Sequence, residues 1–118
     1  TRELSKEMKE RKWGRVINIA SSSAYGGGPK TSTYCASKHA LLGFSRSLHK
    51  ELKADNVRVF CVSPGSIQTD MGRDVEKLGQ AYDTFMTAEE VAEYVYYVTS
   101  FDGHMVSEEI RLNRMFIQ

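Results

Sequence analysis

The sequence predicts an α/β fold built on a parallel sheet, and three observations carry that prediction. Helical and strand periodicities alternate along the chain: helix, strand, helix, strand, helix, strand. The stretch VRVFCVS at 57–63 is almost continuously apolar, as expected of a strand covered on both faces. A long helical segment separates it from the strand before, the length that a right-handed crossover between parallel strands requires.

The elements follow in order. Residues 1–12 read as a charged helix end, with Leu4 and Met8 one turn apart as its apolar side. The chain opens inside this element with no N-cap before it, as expected of a piece of something longer. Gly14 is placed as the helix C-cap. RVINIAS at 15–21 is rich in β-branched residues and predicts a strand. The polar, Gly-rich SSAYGGGPKTS predicts a loop.

Residues 33 to about 54 predict a long helix, with Leu41, Phe44, Leu48 and Leu52 as its apolar stripe. Ala36, Ala40, Gly43 and Ser47 form a second face of small residues that permits close packing on a sheet or another helix. Strand 57–63 ends at Pro64-Gly65, and the mixed segment 66–86 holds a weak helical pattern around 72–82. TAEE at 87–90 has the form of a capping box, Thr87 at the N-cap and Glu90 at N3. The helix it opens runs to about Ser100 with Val91, Val95 and Val98 on one side. EEIRLNRMF alternates Ile110 and Leu112 with Arg111 and Asn113, a last strand.

The chain of 118 residues is the length of one domain, taken as 1–118, and 41% apolar with 26% charged residues is ordinary for a globular protein. A net charge of +1 supplies no basic field, so nucleic acid is not an expected partner. The apolar runs are too short to cross a bilayer, and no stretch has the form of a signal peptide. Cys35 and Cys61 lack metal-ligand spacing and are expected as buried, reduced thiols in a cytoplasmic setting.

Two familiar site readings fail. GGGPKTS clusters Gly, Lys and Thr after a strand, but a P-loop needs Gly directly before the Lys, and Pro29 stands there without an N–H to give. Ser21, Ser22 and Ser23 lack a nucleophile-elbow pattern. His39, His49 and His104 are expected as solvated or structural, with neither an acid nor metal spacing beside them.

A third pattern survives. Tyr34 and Lys38 stand four apart in the first turns of the long helix, on one face. Six Tyr and eight Lys in 118 residues give about 0.4 such pairs by chance, so the spacing alone decides nothing. An ammonium beside a phenol favours the phenolate by roughly 4 kcal/mol for unit charges about 4 Å apart at an effective dielectric near 20. Tyr34 is then a candidate proton donor or acceptor. Ser21 ends the preceding strand and Pro64-Gly65 ends the following one, at the carboxyl rim where open α/β sheets bind their ligands.

With these stretches in view (GRVINIASSSAYGG, YCASKHALLGFSRSL, VRVFCVSPGSIQTDM), the chain resembles the short-chain dehydrogenases/reductases. Ser21 stands thirteen residues before Tyr34, as the family's Ser stands before the Tyr of Y-x-x-x-K, and PGSIQT resembles its P-G-x-x-x-T. The resemblance is dense over 14–72, looser over 85–113 and absent over 73–84.

It implies a Rossmann-like, doubly wound parallel sheet, of which this is the C-terminal half, about three strands and three to four helices. It implies Ser21, Tyr34 and Lys38 as catalytic residues, with Ser21 and Tyr34 also binding substrate. Tyr34, Lys38, Pro64, Gly65, Ile67 and Thr69 would hold the nicotinamide end of NAD or NADP. The substrate would be a small carbonyl compound or secondary alcohol, and helix 33–54 would pair copies into a dimer or tetramer.

The family's Gly-rich fingerprint and its NAD/NADP-selecting residue are absent, and its N-A-G segment and catalytic Asn have no counterpart in this sequence. A second expectation therefore stands beside the enzyme: a non-catalytic fragment or dimerising module without the pyrophosphate site. In either case the outer edge of strand 15–21 is expected to be bare.

Overall fold

The computed structural model describes residues 1–77 and 79–115. Four α-helices and three strands alternate as α1 Arg2–Arg11, β1 Gly14–Ile19, α2 Ser32–Leu52, β2 Val57–Pro64, α3 Asp70–Glu76, α4 Ala88–Thr99 and β3 Glu109–Leu112. The strands form one parallel sheet in the order β1-β2-β3. Gly14 through Ile19 pair with Val57 through Val62, and Cys61 through Pro64 with Glu109 through Leu112.

Strand β2 is central and buried on both faces, as its almost continuous apolarity predicts. On one face Val57 and Val59 pack against Leu52, with Met8, Val16 and Leu48 around them. On the other, Phe60, Val62 and Ile110 pack against Val95 and Val98 of α4. Thus α2 and α4 lie on opposite faces while the chain steps in one direction across the sheet. Two crossovers of that kind have opposite hands, so one of them departs from the right-handed crossover expected between parallel strands.

Other expectations are corrected in detail. Helix α1 ends in a Schellman motif with Lys12, not Gly14, in the left-handed conformation (φ 56°). The Trp13 N–H donates to Met8 O and the Lys12 N–H to Lys9 O. Gly14 opens β1 instead, where a Cβ would stand 2.5 Å from Met8 Sδ. Phe44 is 49% exposed, while Leu42 and Ser45 turn inward. The small-residue face of α2 is exposed at Ala36, Ala40, Gly43 and Ser47. Cys61 is buried but Cys35 is only half-buried.

Helix α3 begins at Asp70 and ends by Glu76, earlier than the 72–82 pattern, of which Leu78 lies outside the described residues. Phe116 of the last predicted strand also lies outside them. The capping box at Thr87 and Glu90 is present as predicted, with the Thr87 hydroxyl accepting from the Glu90 N–H.

The outer edge of β1 has no neighbouring strand among the described residues. On the α4 side of the sheet its Ile17 and Ile19 are 40% and 56% exposed, large apolar side chains without cover. Among the described residues, no helix is long and apolar enough to cross a membrane.

Candidate active site

The carboxyl ends of all three strands share one rim, because the sheet is parallel. Ser21 lies two residues past β1, not at its end. It caps a short 3-10 turn, Ser22–Ala24, in which Ser21 Oγ accepts from the Ser23 N–H at 3.1 Å. That bond uses a lone pair and leaves the hydroxyl hydrogen available for a further acceptor. The Ala20 N–H donates to Val62 O, and Ala24 is buried against Leu42 and Cys61, so the turn sits firmly on α2 and β2.

Tyr34 and Lys38 occupy the first two turns of α2, after Lys30 (φ 61°) reverses the chain into Thr31. The Lys38 ammonium lies 5.5 Å from the centroid of the Tyr34 ring, a cation–π contact, with no hydrogen bond to the phenol oxygen. The ring is 44% exposed. The pair is therefore on one face as predicted, with Tyr34 exposed and Lys38 half-buried.

The segment after β2 is held by backbone. The Gly65 N–H donates to Leu112 O at 2.8 Å, the Gln68 N–H to Met86 O at 2.8 Å and the Met86 N–H to Ser66 O at 3.1 Å. Ile67 and Met86 thus form a parallel bridge that carries the chain outward from Pro64. Thr69 Oγ1 accepts from the Gly72 N–H at 3.1 Å and caps α3. Gly72 itself is required, since a Cβ there would stand 2.0 Å from Ile67 O.

Sequence reasoning missed the side-chain lattice beneath this rim. The Asn18 amide donates to Ser45 Oγ, which donates to Leu41 O, linking β1 to α2. His49 is structural: its Nδ1 accepts from the Val59 N–H, on a stretch of β2 that begins before β3 arrives. The Tyr25 hydroxyl donates to Glu109 Oε1 at 2.7 Å, and Arg46 grips the same carboxylate through Nε at 2.9 Å and a second nitrogen at 2.8 Å.

Arg46 and the Tyr25 hydroxyl hold Glu109 below the usual carboxylate range. Burial and Glu109 push Tyr25 up to about 12. The one signal for this lattice is an aromatic residue inside an otherwise polar, Gly-rich loop.

Lys38 has no hydrogen-bond acceptor among the described residues, and its contact is with the Tyr34 ring. The glycines of the 26–28 loop form no cradle: a Cβ at Gly26 or Gly27 would meet nothing within 4 Å. Among the described residues, no cluster of His, Cys, Asp or Glu could hold a metal.

The short chain dehydrogenase family model matches residues 1–78, and the chain belongs to that family. It is 37% identical over 121 residues to nodulation protein G of Rhizobium sp. (strain N33), covering 96% of this chain and 49% of that protein. It is 35% identical to the 3-oxoacyl-(acyl-carrier-protein) reductase FabG of Aquifex aeolicus, again over 96% of this chain and 49% of the relative.

Among solved structures, 4-hydroxyisoleucine dehydrogenase complexed with NADH superposes with a TM-score of 0.78 and 30% identity, over 96% of this chain and 51% of that one. The chain thus spans about half the length of the relatives it matches, and its sheet is a Rossmann-like portion of theirs.

Proposed function

We propose that the chain is the C-terminal half of an NAD- or NADP-dependent oxidoreductase acting on a carbonyl compound or secondary alcohol. The observation that carries this reading is the set Ser21, Tyr34, Lys38 and Pro64–Thr69 on one sheet rim, with the Tyr34 hydroxyl and Lys38 ammonium uncommitted.

The nicotinamide, when bound, supplies or accepts the hydride. Tyr34 gives a proton to the carbonyl oxygen as the carbon gains hydride, or takes it from the alcohol in reverse. Ser21, its lone pair held by the Ser23 N–H, donates its own hydrogen to the same oxygen and stabilises the developing charge. Lys38 offers its ammonium donors to the ribose hydroxyls. Pro64, Gly65, Ile67 and Thr69 orient the nicotinamide ring. The lid is the segment 66–86, where Met71 is exposed and Tyr82 stacks near Phe85.

The test is Tyr34→Phe in the intact protein. Cofactor binding is expected to persist and turnover to be lost. Retained turnover would remove Tyr34 from the mechanism.

A second reading, in which the 118-residue chain by itself pairs through α2 without catalysis, draws on the exposed small-residue face and Phe44. Titration of the chain with NADH and NADPH separates the two, since micromolar binding is not expected of half a dinucleotide site. The same rim in a cytoplasmic enzyme, without nucleic acid or membrane partners, completes the proposal.

A further inference from the structure

We infer that Tyr25, Glu109 and Arg46 form a positioning clamp that sets the Ser21 turn against the helix carrying Tyr34 and Lys38. The inference rests on the oxidoreductase reading above and adds to it residues that act through others.

Tyr25 closes the 3-10 turn that Ser21 opens: the Ala24 N–H donates to Ser21 O at 2.9 Å and the Tyr25 N–H to Ser22 O at 3.1 Å. Beyond Tyr25 the chain is exposed from Gly26 through Thr31, and the glycines there touch little. Tyr25 is thus the last side-chain tether on the Ser21 side of that loop. Its ring packs against the cluster of Ala20, Ala24, Leu42 and Cys61, and the Arg111 guanidinium stands 4.1 Å from its centroid.

The hydroxyl is what points this tether at a fixed partner. Glu109 Oε1 accepts it while the Arg46 fork holds both carboxylate oxygens. A bidentate Arg–carboxylate pair fixes direction as well as distance.

Arg46 lies twelve residues along α2 from Tyr34, about 18 Å at 1.5 Å per residue. A straight helix carries that anchor to its far end, so the clamp fixes the tilt of α2 relative to the Ser21 turn. The third site segment hangs from the same strand, because Leu112 of β3 accepts from the Gly65 N–H. Strand β3 therefore references all three parts of the rim: Ser21 through Tyr25, Tyr34 through Arg46, and Gly65 through Leu112.

The experiment uses Tyr25→Phe and Glu109→Gln in the intact protein, with two readouts. Amide hydrogen exchange at residues 22–25 is expected to quicken at least tenfold in both variants, with β2 amides unchanged. Turnover is expected to fall about tenfold or more, with the KM for the nicotinamide cofactor within about twofold of wild type, since the proton-transfer geometry loosens and the cofactor contacts do not.

Unchanged exchange in Tyr25→Phe overturns the clamp. Faster exchange with unaltered turnover overturns its positioning role. If the wild-type protein lacks oxidoreductase activity, the functional reading fails on its own account and the positioning role falls with it, whatever the exchange shows.

Discussion

The two rims of the sheet are built on different principles. Where the strands begin, charged side chains are spent on the fold. The Arg15 guanidinium donates to Thr99 O, Gly14 O and Phe101 O and pairs with Asp102, and Arg58 donates to Phe101 O, Gly103 O and Met105 O. Lys12 pairs with Asp55, and the Asn56 amide donates to Lys12 O.

Where the strands end, Ser21, Tyr34 and Lys38 keep hydrogen-bonding capacity that the described residues do not use. One rim closes the C-terminus of α4 and the loop after it. The other leaves the Tyr34 hydroxyl and the Lys38 ammonium without a hydrogen-bond partner among the described residues. The proposed site and the charges that hold the opposite rim stand at the two ends of β2, and the expectation is that Lys38 and Arg58 can each be changed without the other's effect.

The separation can be tested from its strongest consequence downward. Lys38→Ala should lower turnover by about 10²–10⁴-fold, while stability stays within about 0.5 kcal/mol of wild type. A thermal melt beside steady-state rates decides it, and a melt that drops with the rate would show that the outer rim also holds the fold.

Arg58→Ala should do the reverse. Gly103 O and Met105 O lose their donor and Phe101 O keeps only that from Arg15, a cost of about 1–3 kcal/mol. The urea midpoint should fall while activity per folded molecule holds, and lost specific activity would break the comparison.

The smallest effect is in the pH dependence of the Tyr25–Glu109 contact. Glu109 ionises below the usual carboxylate range in the folded chain, so its contribution is present above that range and fades as pH falls through the lowered value. Tyr25 is raised to about 12, so its contribution is whole below about pH 10, the usual value for a phenol, and fades as pH climbs from there to about 12. Denaturant midpoints for wild type and Tyr25→Phe, followed from pH 9 upward, should decline more steeply in wild type.

The sequence made legible what local periodicity encodes. The almost continuous apolarity of β2, the capping box of α4 and the one-face placement of Tyr34 and Lys38 all appear as read. What stayed hidden depends on groups far apart in the chain. The inward face of α2 runs through Ser45, a polar residue satisfied by Asn18 and Leu41 O, so a purely apolar stripe led to Phe44 instead.

Lys12 adopts a left-handed conformation that residue preferences assign to glycine, while Gly14 is needed for the approach of Met8. The opposite hands of the two crossovers follow from which sheet face each helix covers, and the apolar valines of α4 do not announce a face. At the site, the Tyr25–Glu109–Arg46 lattice joins three separate elements, so no spacing reveals it.

The corner between α2 and β2 also bears on the order in which the molecule assembles. Leu48 and Leu52 meet Val57 and Val59 across the short turn that Asn56 completes at φ 56°, so this part of the core closes almost no loop. Pairing of β1 with β2 must first enclose all of α2, and that of β2 with β3 all of α4, and both enclosures cost chain entropy that grows with loop length. The helix–strand corner is then expected to form early in refolding, with the outer strands added to it. A Leu52→Ala variant should slow refolding, where Ile110→Ala should chiefly hasten unfolding.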